Sequence, residues 1–197
     1  RHTRCLSDWI QTCALPIWQV GLKPKKKIQT PADMQGIKLR MPAGDAWQLL
    51  GRSLGANPTP LAFAETYTAL QTGAVDGQDN PLPNVQAMKF YEVMSQIVLT
   101  SHLVAFDILC MNQKFWNGMG ADKQKRFQAA VDKALAWSVN EHLKKEAELA
   151  DGMKKHGLDV YTPDIPAFRA YAQKVYLASD EAKAWAPGVL DRIAAVK

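Results

Sequence analysis

A chain of 197 residues, 47% hydrophobic and 22% charged, has the length and apolar content for a packed core of one or two lobes. Its longest apolar runs, such as "HLVAFDILCMN", stop short of the roughly 18 to 20 residues that a membrane span needs, so no part of it is expected to cross a bilayer. The net charge of +5 has one dense basic run, "KPKKK" at Lys23 to Lys27; without interleaved aromatics to stack bases, it points to no nucleic-acid partner.

Residues 1–17, "RHTRCLSDWIQTCALPI", have neither helical nor strand period, and the apolar stretch that follows the basic start of a signal peptide is missing. "QTCALPI" also resembles the translation of a sequencing adapter. A non-native leader that packs on nothing is therefore expected, with an ordinary N-terminal strand as the alternative. Cys5 and Cys13 lie in it, so only Cys110 remains in the body, where "FDILCMN" implies a buried small hydrophobe. No disulfide or zinc framework follows from these spacings.

From Ile28 onward the chain is clearly punctuated. "TPADMQG" predicts one helical turn, with Thr30 as cap and Pro31 at the first position, leading into the strand "IKLRMP". "GDAWQLLGRSLG" is a short amphipathic helix closed by Gly55. "ANPTPLAF" holds too much proline for a central strand, and "AETYTALQTG" is a helix ending at Gly73. "AVDGQDNP" reads as a strand tip breaking into a turn, "LPNVQAMKFYEV" as a helix, and "SQIVLTSHLVAFDILCMN" as one long extended segment. From Ala121 to His156, apolar residues from Phe127 to Met153 recur at three or four, which predicts one helix of about 50 Å, longer than a single small domain. "LDVYTP" and "IPAFRAYAQKVYLAS" add a strand and a helix. Strands alternating with short helices imply βαβ units and a parallel sheet.

No nucleophile elbow, zinc-binding His pair, phosphate-binding loop or dinucleotide fingerprint is present. His142 and His156 fall on the long helix. His102 lies where the long extended segment passes between lobes, and both a pocket role and a hydrogen-bonded core role fit it. Arg40, at the carboxyl end of one strand, and "DGQDN", just after another, bring polar groups to one edge of the sheet, where open α/β folds bind ligands. An arginine fork matches a carboxylate and Asn80 adds a neutral donor; an ion pair of Arg40 with Asp79 is the competing reading.

"GIKLRMP", "LGANPTPLAFAETYTALQTGAVDGQDNP", "KFYEV" and "LTSHL", in this order and spacing, resemble the DctP-type substrate-binding proteins of tripartite ATP-independent periplasmic (TRAP) transporters, from about Trp18 to the C-terminus. The resemblance implies an α/β, periplasmic binding protein-like fold of two lobes with long crossing segments and a long C-terminal helix, closing on an organic anion. It implies that Arg40 clamps the ligand carboxylate, Asn80 hydrogen-bonds it, Phe63 packs against the ligand and His102 lines the cleft. A second basic ligand residue of the family stands in a G-x-R context; Lys23 in "VGLK" takes that place, about two residues out of register.

Residues 18–103 are then expected to form the ligand-binding lobe, and 104–197 a hinge segment, the spanning helix and the rest of the other lobe. Family members begin with a signal peptide and a longer first lobe, so a truncated piece with an incomplete first lobe is expected. The function implied is a periplasmic receptor, with no cofactor, that delivers a small carboxylate such as a C4-dicarboxylate to TRAP membrane subunits. An α/β enzyme acting on an organic acid is the alternative.

Overall fold

The structure, a computed structural model, describes residues 3–5, 17–105 and 109–195. Its centre is a sheet of six strands: β2 (Ile17–Leu22), β3 (Lys38–Met41), β4 (Asn57–Pro60), β5 (Gly77–Pro81), β6 (Gln96–Val104) and β8 (Asp159–Tyr161), in the spatial order β4-β3-β5-β2-β6-β8. The neighbours of β3 are parallel to it, as β8 is to β6, which matches the parallel βαβ reading. β2 departs from it, running antiparallel to both β5 and β6. Its last four residues are all buried, and a strand covered on both faces carries no alternation by which to recognise it. β4, with Pro58 and Pro60, lies at the sheet edge, where missing amide donors break no ladder.

Helices cover both faces. α1 (Asp45–Ser53) and α6 (Ile165–Leu177) lie over the face that holds Val20, Leu22, Leu39, Met41 and Val98, packed with Leu54 and Phe168. α2 (Thr66–Thr72) and α3 (Leu82–Ala87) lie over the other, where Leu70, Val75, Val85, Phe90 and Ile97 pack with Met153. Ile97 and Val98, consecutive on β6, thus enter opposite cores, as the two-residue period of a strand requires. Gly55 closes α1 at φ +84, and a Cβ there would come within 2.3 Å of the Pro31 carbonyl oxygen, so the turn into β4 admits only glycine.

The long extended segment divides. β6 ends at Val104, and β7 (Cys110–Asn112) belongs to a separate two-stranded ribbon with β1 (Thr3–Cys5). This pairing departs from the expectation of a leader that packs on nothing; residues 6–16 lie outside the described ones. Cys110 is exposed rather than buried, because β7 belongs to that ribbon and not to the main sheet. α4 (Gln113–Gly118) then leads to α5 (Ala121–Lys155), the single 35-residue helix foreseen from spacing. β8 and α6, expected with the other lobe, join the central sheet and its first core. The short helices α7 (Asp180–Lys183) and α8 (Val189–Ala194) follow. Among the described residues no helix is long and apolar enough to cross a membrane.

Candidate functional site

β3 and β5 set the site, because their parallel register places Arg40 opposite Gln78. Paired residues share a sheet face, so Arg40, Gln78 and Asn80 stand on one side and Asp79 on the other. Arg40 is 3% exposed. Its Nε donates to the Leu61 carbonyl at 2.9 Å, and its guanidinium carbon lies 5.7 Å from the centre of the Phe63 ring. Phe63 meets Phe90 edge to face at 5.9 Å while remaining 39% exposed itself. Among the described residues the terminal guanidinium nitrogens of Arg40 make no hydrogen bond and no ion pair. Burial lowers the Arg40 pKa from its ordinary value, and the charge of Asp79 partly offsets this.

Asn80, buried, donates from Nδ2 to Gln78 Oε1 at 2.5 Å. An amide nitrogen carries two hydrogens, so one remains to donate on the sheet face that Asn80 shares with Arg40. Arg40, Phe63 and Asn80 are therefore brought together, with Gln78 holding the asparagine.

His102 is held elsewhere, by a different partner. Asp79 is fully buried, neither of its oxygens accepts a hydrogen bond among the described residues, and Oδ2 lies 3.5 Å from His102 Nε2. Thr100 Oγ1 meets His102 Nδ1 at 2.7 Å; when that hydroxyl donates, Nε2 carries the proton that faces Asp79. A bulge makes this possible: the β2/β6 register shifts between Trp18 and Val20, and Ser101 takes φ +45. Gln19 stabilises the bulge by accepting from the Ser101 amide at 3.0 Å. The reading of Arg40 as the ion-pair partner of Asp79 is thus replaced by a histidine across the bulge. His102 also lines a cavity of about 290 Å³ between α1, β6 and α6, with Leu54, Phe168 and Tyr176.

Lys23 is not brought to this site. Its Nζ donates to the Leu70 and Gln71 carbonyls at 3.0 Å each, at the C-terminus of α2, whereas Phe63 precedes the N-terminus of that helix. The residue satisfies helix-end carbonyls and their dipole. No cluster of metal-ligating side chains occurs among the described residues.

Residues 14–182 match the family model for bacterial extracellular solute-binding proteins, family 7, named DctP. The chain belongs to that family. This family 7 chain is 35% identical over 170 residues to the sialic acid-binding periplasmic protein SiaP of Vibrio cholerae, covering 85% of this chain and 53% of that one. It is 34% identical over 157 residues to a C4-dicarboxylate-binding periplasmic protein of Shewanella loihica, covering 78% of this chain and 46% of the relative. A solved TRAP periplasmic solute-binding protein of Roseobacter denitrificans, with bound 3-deoxy-D-manno-oct-2-ulosonic acid (KDO), superposes at TM-score 0.86 and 47% identity, covering 91% of this chain and 60% of that one. The family 7 chain thus spans about half the length of these two named relatives. Its relatives are two-lobe solute receptors rather than enzymes, which removes the enzyme alternative.

Sequence reasoning passed over Gln19 and Gln78. Each is a buried glutamine on a strand, a residue type usually exposed, and that mismatch is the signal that finds them once the strands are assigned.

Proposed function

We propose that this chain supplies the anion-holding lobe of a periplasmic receptor that captures a small organic carboxylate and passes it to TRAP membrane subunits. The observation that carries the reading is Arg40: a buried guanidinium that, among the described residues, is bonded through Nε alone, with Asn80 on the same sheet face, two residues on from its strand partner Gln78. A fork of this kind is complete once a carboxylate accepts from it. Phe63 closes one side of the position as an apolar wall. His102 has a positioning role in this reading, holding Asp79 behind the ligand strand.

The relatives bind sialic acid, C4-dicarboxylates, KDO, L-galactonate and β-D-glucuronate. All of these carry a carboxylate, and a further neighbour holds sn-glycerol-3-phosphate, also an organic anion. The identity to the KDO-bound structure, 47%, favours a sugar acid. An NMR titration of the chain with KDO, L-galactonate, β-D-glucuronate and succinate tests this. The Arg40 Nε–H and Asn80 side-chain amide signals are expected to move with at least one of the acids in the wild type, and the Asn80 signals with none in Arg40→Ala. Signals that stay still with all four at millimolar concentration refute the reading.

A further inference from the structure

A helix that leaves most of its length exposed buries a glutamate. Over the 35 residues of α5 the buried positions are Glu146 and Met153. Met153 belongs to the second core, and Leu149 and Ala150 pack against it. Towards the N-terminus, Leu143 is 45% and Trp137 65% exposed. Glu146 therefore marks the turn at which α5 departs from the sheet.

Its Oε1 accepts from the Ile17 amide at 3.2 Å, a bond across 129 residues of chain. Ile17 is the first residue of β2 and pairs with Val104, the last residue of β6. The start of β2, the end of β6 and α5 are thus joined around one carboxylate. His142, one turn earlier on α5, lies 3.8 Å from the same oxygen. The donor is a main-chain N–H, so the bond does not depend on which side chain occupies position 17. Burial pushes Glu146 up from the usual carboxylate range, and the Ile17 amide partly offsets this. A packed apolar residue here would carry no such cost.

We propose that Glu146 is a positioning residue for ligand capture, whose bond to the Ile17 amide fixes the pivot at which α5 and the strands β2 and β6 turn as the two lobes close. The inference rests on the receptor reading above. A merely structural glutamate would add stability without setting the direction in which α5 leaves the sheet, and the two roles have different readouts.

Spin labels at Arg52→Cys on α1 and Lys133→Cys on α5, both exposed positions, report that direction by pulsed dipolar spectroscopy in a background carrying Cys5→Ser, Cys13→Ser and Cys110→Ser. Without ligand, the wild type and Glu146→Gln, whose side-chain carbonyl still accepts, should give one narrow distance distribution. Glu146→Leu and Glu146→Ala should broaden or shift it, and amide exchange at Ile17 should accelerate by about tenfold, the loss of one hydrogen bond. Unchanged distances and exchange in whichever of these two variants folds would overturn the proposal. In the ligand arm, KDO should move the wild-type distance, and Glu146→Leu should need about tenfold more of it. A wild-type distance that does not respond to KDO or β-D-glucuronate sinks the receptor reading, while the ligand-free comparison still decides the pivot.

Discussion

Replacing Arg40 by methionine separates binding from folding, because the structure gives this arginine little to do in the folded chain by itself. The residue is 3% exposed and, among the described residues, its side chain makes one hydrogen bond, from Nε to Leu61. Removing it forfeits a charge-assisted bond worth about 1.5 to 3 kcal/mol and leaves the Leu61 carbonyl without that donor, at about 1 to 3 kcal/mol. It also removes a buried cation whose desolvation costs several kcal/mol. Methionine refills most of the volume, so these terms nearly cancel and the net change in stability is expected within about 1 kcal/mol of zero. Affinity behaves differently. Truncating one partner of a buried charged pair costs roughly 2 to 5 kcal/mol, so Arg40→Met should weaken carboxylate binding by about 1.5 to 3.5 orders of magnitude. Arg40→Lys should recover only part of it, since an ammonium keeps the charge and loses the planar fork. Urea denaturation and calorimetric titration with KDO measure the two quantities on the same preparations. A loss of 3 kcal/mol or more in stability with unchanged affinity, about what breaking a buried ion pair costs, would refute the reasoning and restore Asp79 as the partner.

Lys23→Ala should leave affinity unchanged within about twofold and cost roughly 0.3 to 1 kcal/mol through the C-terminus of α2, as read by titration and thermal melting. His102→Leu should destabilise the fold by about 1 to 3 kcal/mol, the cost of taking a polar neighbour from the buried Asp79; adding Asp79→Asn should return most of that loss, and a double-mutant cycle with no coupling would contradict the pairing. Glu146 titrates higher when folded than its ordinary value of 4.5, so the unfolded chain releases its proton first as pH rises. The contribution of Glu146 to stability is therefore fully present below pH 4.5 and falls as pH rises to the folded value. Glu146→Gln lacks that fall, and its stability relative to wild type should improve across this window; urea midpoints that stay parallel would contradict the desolvation argument.

Several elements of this chain are decided by their own residues. The apolar spacing from Phe127 to Met153 makes α5 one helix, Thr30 and Pro31 start a helical turn, and Pro58 and Pro60 confine β4 to an edge, because each of these is settled within a turn or two of chain. The placement of Asn80 was not legible in this way: "DGQDN" carries turn residues, yet Gly77–Pro81 form the buried strand β5, because pairing with β3 and β2 on either side overrides the local turn signal. Tertiary structure alone decided the rest. β2 has no alternation because both its faces are covered, and its antiparallel insertion is set by neighbours distant in sequence. The burial of Glu146 in place of the expected stripe through Leu143 depends on an amide 129 residues away. Lys23 turned to α2 because unsatisfied carbonyls lay within its reach, and His102 turned to Asp79 because a bulge in β6 re-aimed it. Periodicity states which side chains can be buried; the register between strands states what they meet, and that is fixed only when the whole sheet has assembled.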